Sequence, residues 1–274
     1  MRYALKLFYL GNPERIEGFQ RQPNKPTIEG YLFEAFRKAG LVDNIEDAAY
    51  GAAGRTDRGV HALGQVIAIS TPAKLIIPAL NSYLPETIII WASKMVSDSF
   101  HPRYDAILRH YCYYSPSSNE DLDSMLEGAR LLEGIHDFKL FARSNPPTNT
   151  IREVYQIGIE LREPFVIFHV IANSFLWQMV RRIVNSLLKI GRKEWELQDL
   201  EDLLNGTPKA NVYTTPSPAD GSGALVLWDV EYPFQFQIDQ KSLDWVRESL
   251  KKYLTDFSLK HFYFQDLYNF MTSI

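Results

Sequence analysis

A short glycine-rich loop carries the residues with the clearest chemical potential. In "GRTDRGVHA", residues 54–62, one carboxylate, Asp57, lies between two arginines, Arg55 and Arg58. Glycine permits positive φ and close approach by another backbone, so such a loop can present Asp57 to a large ligand. Neighbouring cations favour the ionised carboxylate, which can act as a nucleophile or stabilise a cationic, sugar-like transition state. The spacing alone also fits a simple surface ion pair, in which Asp57 pairs with Arg55 or Arg58.

The segment 175–190, "FLWQMVRRIVNSLLKI", is predicted to form an amphipathic helix. At about 100° per residue, Trp177 falls on the apolar arc, Arg181 at its border and Arg182 in the middle of the polar face. A border arginine can reach a partly buried carboxylate, whereas a mid-face arginine suits solvent or phosphate. The alternative is an ordinary solvated helix face.

The segment 108–115, "LRHYCYYS", is predicted to be a strand with two different faces. Side chains alternate along a strand, which groups Arg109, Tyr111 and Tyr113 on one face and His110, Cys112 and Tyr114 on the other. An arginine–tyrosine face suits stacking on bases with nearby phosphate contacts. Ordinary cross-strand packing of tyrosines explains the same pattern.

The sequence predicts no metal site and no cofactor. His61, His101 and His136 lack ligand spacing, and Cys112, the single cysteine, is interpreted as a small strand residue. No Walker or dinucleotide-binding glycine motif is found in the sequence. A single cysteine favours a reducing, cytoplasmic environment. The N-terminus lacks a signal-peptide pattern, and the longest apolar run, "FVIFHVIA", is too short to span a membrane.

The elements that must hold these residues come as runs of strands and helices, without strict β-α-β alternation, which predicts an α+β fold. The 274 residues, 46% of them apolar, suit one large domain or two ordinary ones, with a boundary near 100–107. The net charge is −4, but the acidity is concentrated in residues 194–274, which leaves room for an RNA partner. The aromatic tail is predicted to pack as helices on the protein body.

Five ordered motifs together resemble the tRNA pseudouridine synthase A family. The stretch "GRTDRGVH" matches the central family pattern throughout. The stretches "YLGNPERIEGFQRQ", "FHPRYDAILRHYCYY", "NSFLWQMVRRIV" and "ALVLWDVEYP" are similar to four further family motifs. Phe19 replaces the usual Trp and Ala224 the usual Gly. The resemblance covers the chain from about residue 3 to residue 233 and leaves the tail outside it.

Carried over by position, the resemblance implies roles for individual residues. Asp57 corresponds to the catalytic aspartate, Tyr111 to the active-site tyrosine, and Arg181 to the arginine that pairs with the aspartate. Further RNA-binding residues are expected among the arginines near these motifs, namely Arg21, Arg55, Arg58, Arg109 and Arg182. Arg58 occupies a variable position of the motif, so the resemblance assigns it no specific role.

The resemblance also implies a pseudouridine synthase fold, with two similar α/β-sandwich halves and mixed or antiparallel sheets around a central RNA-binding cleft. The expected divisions are 1–104 with the Asp57 loop, 105–233 with the tyrosine and arginine, and 234–274 as an acidic, aromatic, helical extension. The implied activity is isomerisation of uridine to pseudouridine at positions 38, 39 or 40 of tRNA, by a cofactor-free homodimer.

Two alternative functions remain open from the sequence. One is a catalytically silent tRNA-binding or chaperone protein of the same fold. The other is a hydrolase with an aspartyl nucleophile, although the second carboxylate that a glycosidase needs is not evident.

Overall fold

A computed structural model describes residues 1–11, 16–143, 149–207 and 224–272. The strands are β1 (Arg2–Tyr9), β2 (Gly51–Ala52), β3 (His61–Ser70), β4 (Ile88–Val96), β5 (Leu108–Pro116), β6 (Gly134–Asp137), β7 (Ile151–Arg162), β8 (Phe165–Ala172), β9 (Ala224–Glu231) and β10 (Gln237–Ile238). The α-helices are α1 (Ile28–Lys38), α2 (Ile77–Asn81), α3 (Leu122–Leu132), α4 (Met179–Gly191), α5 (Leu197–Leu204) and α6 (Gln240–Thr272). Two short 3-10 helices cover Ile45–Ala48 and Lys139–Phe141.

The strands form one mixed sheet in the order β10-β4-β1-β3-β9-β5-β8-β7-β6, with β2 beside β3. Strand β3 pairs with β9 in parallel, through His61↔Val226 and Ala62↔Leu227, and the other strand pairs are antiparallel. This short parallel pairing joins a group of strands from the first part of the chain to a group from the second. The arrangement confirms the predicted α+β class.

Apolar side chains form two large buried clusters, one in each group of strands. The first contains Phe19 and Phe36 beside β1 and β3, and the second contains Phe168 of β8 and Ile183 of α4. Tyr111 packs against both clusters. The domain divisions at 104 and 233 stay predictions. The cores overlap in sequence, because Leu227 and Val230 of β9 join the first cluster while Leu225 joins the second.

Helix α4 starts later than the periodicity predicts. It begins at Met179, because Gln178 has a φ of 64°, in the left-handed region that a right-handed helix cannot include. Trp177 therefore precedes the helix and is 51% exposed, so its predicted place on the apolar arc is wrong. A helical wheel reports which residues share a face but does not locate the first residue of the helix.

The C-terminal extension is dominated by one long helix that leaves the protein body. Its first turns pack on the body: Val246 is buried, and the Ser249 hydroxyl donates to the Glu86 carbonyl at 3.0 Å. Beyond Tyr253 the apolar side chains are exposed, as in Phe262 at 67%. No glycine or proline interrupts residues 240–272, so the helix continues past the body. Residues 254–272 therefore do not pack on the body of their own subunit, and packing of these aromatics across a dimer stays a prediction.

Within the described ranges, no helix has both the length and the apolar character needed to cross a membrane.

Candidate active site

The loop that carries Asp57 is supported by buried polar side chains of β1 and β3. The hydroxyls of Tyr9 and Thr56 are 2.7 Å apart, and Gln65 Nε2 donates to the Gly54 carbonyl at 3.0 Å. Burial raises the pKa of Tyr9 above its ordinary value, so its phenol stays neutral and can take part in this network. Gly54 and Thr56, just before Asp57, are thereby held in place.

Two glycines let other segments of the chain approach this loop closely. A Cβ on Gly11 would lie 2.2 Å from the Val60 carbonyl oxygen, which no real side chain could tolerate. Gly18 has a φ of 97°, and a Cβ there would lie 3.2 Å from the Thr56 carbonyl oxygen. The Phe19 N–H donates to the same carbonyl at 3.0 Å. Main-chain atoms of the segments around Gly11 and Gly18 therefore pack directly against the loop.

The exposed carboxylate of Asp57 contacts a tryptophan from the second half of the chain. The indole N–H of Trp177 lies 3.2 Å from each carboxylate oxygen and donates to both. The guanidinium of Arg143 lies over the Trp177 ring, 4.3 Å from its centroid. The Arg143 N–H also donates to the Trp177 carbonyl at 3.0 Å. These contacts connect Asp57 to the segment before α4.

The arginines that flank Asp57 in sequence do not pair with it. Arg58 forms an ion pair with Glu17, with the two atoms 3.4 Å apart, and Arg55 is exposed. Within the described residues neither arginine has an ion pair with Asp57. An exposed pair such as Arg58–Glu17 contributes only about 0–1 kcal/mol, so a stronger anion can displace it.

Tyr111 lies at the junction of the two halves. It is half-buried, and its ring meets that of Phe175 edge-on, with the centroids 5.1 Å apart. Burial raises the pKa of Tyr111 to about 12; the Asp57 charge adds to this rise and the Arg109 charge opposes it. The phenol therefore keeps its proton at neutral pH.

Arg109, two residues before Tyr111 on β5, is buried and forms hydrogen bonds to main-chain carbonyls. Its guanidinium donates to the carbonyls of Asn173 at 2.6 Å, Ala53 at 3.2 Å and Arg103 at 2.6 Å. Burial lowers its pKa from the ordinary arginine value. This side chain joins β5 to the segment just before the Asp57 loop, and only 8% of the residue is exposed.

The arginines of α4 differ from the sequence-based expectation. The guanidinium of Arg181 lies over the Tyr113 ring, 5.8 Å from its centroid, and in the described structure no ion pair joins it to Asp57. The pairing implied by the resemblance is therefore not formed here. Arg182 is half-buried as well, and burial together with the Arg143 charge lowers its pKa. It does not lie on a fully solvated face.

Arg21, the remaining arginine expected to bind RNA, is exposed. Its guanidinium lies over the Phe33 ring, 5.6 Å from the centroid, and its main-chain N–H donates to the Glu29 carboxylate at 2.8 Å.

Sequence reasoning missed two groups of residues. Trp177 and Arg143 contact Asp57 directly or through each other, and no sequence signal pointed to them, because Trp177 fits the helical period, which in the structure is broken at Gln178. On the other face of β5, donor atoms of His110, Cys112 and His169 all lie within 4.8 Å of one another. The His-x-Cys spacing on a strand was the available signal, because it directs both side chains to one face.

Comparisons with known proteins identify the family. A family profile described as tRNA pseudouridine synthase matches residues 129–233. The chain is 37% identical to tRNA pseudouridine synthase A of Methanosarcina barkeri, over 91% of this chain and 88% of that protein. It is 38% identical to the enzyme of the same name from Pyrococcus furiosus, over 96% of both chains. The α+β architecture described above is accordingly the pseudouridine synthase fold, and the chain belongs to the tRNA pseudouridine synthase A family, whose members are isomerases acting on tRNA.

Proposed function

We propose that this protein converts uridine to pseudouridine in the anticodon stem-loop of tRNA, at position 38, 39 or 40, with Asp57 as the catalytic carboxylate. The observation that carries the proposal is the exposed carboxylate of Asp57, which lies on a firmly supported loop of one half and contacts Trp177 of the other. The reaction detaches uracil from C1′ of ribose, turns it and rejoins it through C5. Asp57 either adds to the sugar or base, or stabilises the cleaved intermediate.

Tyr111 is proposed to stack on the target base. Taking a uridine out of its stack costs a few kcal/mol, and stacking on an aromatic ring returns about 1–3 kcal/mol. Because its pKa is raised to about 12, the phenol is in its proton-donating form at neutral pH. Removal of the C5 proton by Tyr111 would first require loss of its own proton.

Arg181 is proposed to pair with Asp57 once RNA fills the site. In the described structure its guanidinium lies over Tyr113, so pairing requires the side chain to move. Bound RNA would exclude water from Asp57, and the attraction between opposite charges rises as the local dielectric falls. A paired Arg181 would keep the Asp57 carboxylate ionised and oriented toward the target uridine.

The cations around Asp57 are proposed to bind the tRNA backbone. Arg55 and Arg58 are exposed beside it, and Arg21 is exposed elsewhere on the first half. Arg143 and Arg182 are close enough for the charge of one to lower the pKa of the other, and a phosphate near both would relieve that repulsion. Arg109 takes a positioning role instead, because three carbonyls hold its guanidinium. From the family resemblance we further propose a cytoplasmic homodimer whose two subunits both contact tRNA.

The substitution Asp57→Asn tests the catalytic assignment, since it removes the charge and keeps the shape. We expect pseudouridine formation to be abolished, measured as tritium release from tRNA labelled at uridine C5 in a single turnover. Affinity for tRNA in filter binding should stay within a few-fold, because phosphate contacts dominate it. Asp244→Asn, an exposed position on α6, is the matched control and should retain activity.

Clear residual turnover by Asp57→Asn would remove Asp57 from the catalytic role. Wild-type protein that binds tRNA without releasing tritium would indicate the silent tRNA-binding alternative. Free uracil as the product would indicate the hydrolase.

A further inference from the structure

Three side chains with metal-binding atoms meet on the face of the sheet that does not carry Tyr111. His110 and Cys112 are two residues apart on β5, so both point to this face. His169 lies on β8 directly opposite Cys112 in the antiparallel register. Strand pairing, and not a flexible loop, therefore brings the three residues together.

The donor atoms form a triangle close to the one that a tetrahedral metal ion requires. His110 Nε2 is 3.0 Å from His169 Nδ1. Cys112 Sγ is 3.2 Å from His169 Nδ1 and 3.5 Å from His110 Nε2. Zinc bonds of about 2.0–2.1 Å to nitrogen and about 2.3 Å to sulfur hold two nitrogens about 3.3 Å apart, and nitrogen and sulfur about 3.6 Å apart. Shifts of a few tenths of an ångström would complete this geometry.

The surroundings give an ion access and place a carboxylate near one of the imidazoles. Cys112 is fully buried, whereas both imidazoles are half-buried, so an ion can enter from the imidazole side. Asp229, which forms an ion pair with Lys6, lies opposite His110 in the β5–β9 pairing. Carboxylates near ligating histidines orient the rings and increase their basicity.

We propose that His110, Cys112 and His169 bind one Zn²⁺ ion, with a water molecule as the fourth ligand, and that the ion crosslinks β5 to β8. Zinc takes the thiolate form of cysteine, so binding releases the Cys112 proton to solvent. The thiolate, two neutral imidazoles and Zn²⁺ then carry a net charge of +1. Without the ion, the same groups form a hydrogen-bonded network between the rings and the thiol.

Metal titration of the full-length protein distinguishes these two states. Protein treated with chelator and desalted is titrated with Co²⁺, which reports thiolate ligation by a charge-transfer absorption. We expect one equivalent of Co²⁺ to bind with this absorption and to be displaced by Zn²⁺. Cys112→Ser should lose the absorption, and His169→Asn should bind at least about 100-fold more weakly, since loss of even an outer-shell partner costs 10–100-fold. The control His261→Asn, exposed on α6, should bind as the wild type does.

Wild-type protein that shows no thiolate absorption with Co²⁺ overturns the proposal, and this measurement needs no variant. Equal affinity in wild type and His169→Asn also overturns it. Because a change at the buried Cys112 can disturb folding, circular dichroism must show that each variant is folded. Zn²⁺ should raise the Tm of the wild type but not that of His169→Asn; an equal rise in both would mean adventitious surface binding only and would contradict the site.

Discussion

The two faces of β5 acquire their neighbours in different ways. On one face, Tyr111 packs against the buried clusters of both halves of the sheet. On the opposite face, His110 and Cys112 meet His169 of the adjacent strand. The second arrangement follows from the register of β5 and β8 alone. The first also requires the two halves to join through β3 and β9.

This difference separates two kinds of consequence. A change on the Tyr111 face can disturb the relation between the halves and hence the Asp57 chemistry. A change on the His110 face acts within one half of the sheet, so it should affect local stability and metal affinity more than turnover. The predictions below test this separation.

The largest effect is expected for Arg109→Met. The substitution leaves the carbonyls of Asn173, Ala53 and Arg103, one buried and two partly buried, without a charged donor. Hydrogen bonds to charged groups contribute about 1.5–3 kcal/mol each, so the free energy of unfolding should fall by roughly 3 kcal/mol or more. Urea denaturation measures this loss. If the variant keeps wild-type stability but its tRNA binding depends less on salt, Arg109 contacts a phosphate and does not act as a positioning residue.

Arg181→Met and Arg182→Met should give different defects. Arg181→Met should lower single-turnover activity by roughly 100-fold, about 2.7 kcal/mol, with little change in tRNA affinity, if Arg181 pairs with Asp57 in the complex. Arg182→Met should keep most of the activity but weaken binding and reduce the slope of log affinity against log salt by about one. Activity and filter-binding assays at several salt concentrations separate these effects. Interchangeable defects in the two variants would show that the two arginines share one role.

A smaller effect is expected for Trp177→Phe. The phenyl ring can still support Arg143, but the N–H that bonds both Asp57 oxygens is lost. We expect a decrease in activity of about five-fold, corresponding to about 1 kcal/mol for one hydrogen bond near solvent. Trp228→Phe, on β9 and 39% exposed, serves as the control. Unchanged activity in both Trp177→Phe and Trp177→Ala would show that the contact with Asp57 does not serve the reaction.

Local patterns in the sequence predicted much of the fold, because they reflect local physics. Helix α1 shows such local physics in the structure: it begins after Thr27, whose hydroxyl accepts from the Gly30 N–H at 3.2 Å. The alternating faces of β5 were likewise readable, and so was the glycine loop around Asp57. Each of these features depends on residues close together in the chain.

Features that depend on contacts distant in the chain were not predictable from pattern. The alternating pattern of residues around Cys112 does not indicate that Cys112 on β5 lies opposite His169 on β8. The left-handed Gln178 that delays α4 and turns Trp177 toward Asp57 has no periodic signature. The carbonyl partners of Arg109 come from segments far from it in the chain, such as Ala53 and Asn173. Register, helix starts and such contacts are set by the assembled fold.

The smallest effect on turnover is expected from removal of the proposed zinc ion. Strand β5 is held on both sides, by β8 and by β9, and Tyr111 points to the opposite face from the ion. Loss of the crosslink should therefore leave the single-turnover rate within about two-fold, since neighbouring side chains on a strand point to opposite faces of the sheet. Stability should respond instead: an ion at 100 times its Kd adds about 2.7 kcal/mol. Activity and Tm are measured before chelation, after it, and after zinc is restored. The activity assay is run at a temperature well below the Tm. If activity falls when the metal is removed and returns when zinc is restored, the two faces of β5 are coupled through the strand.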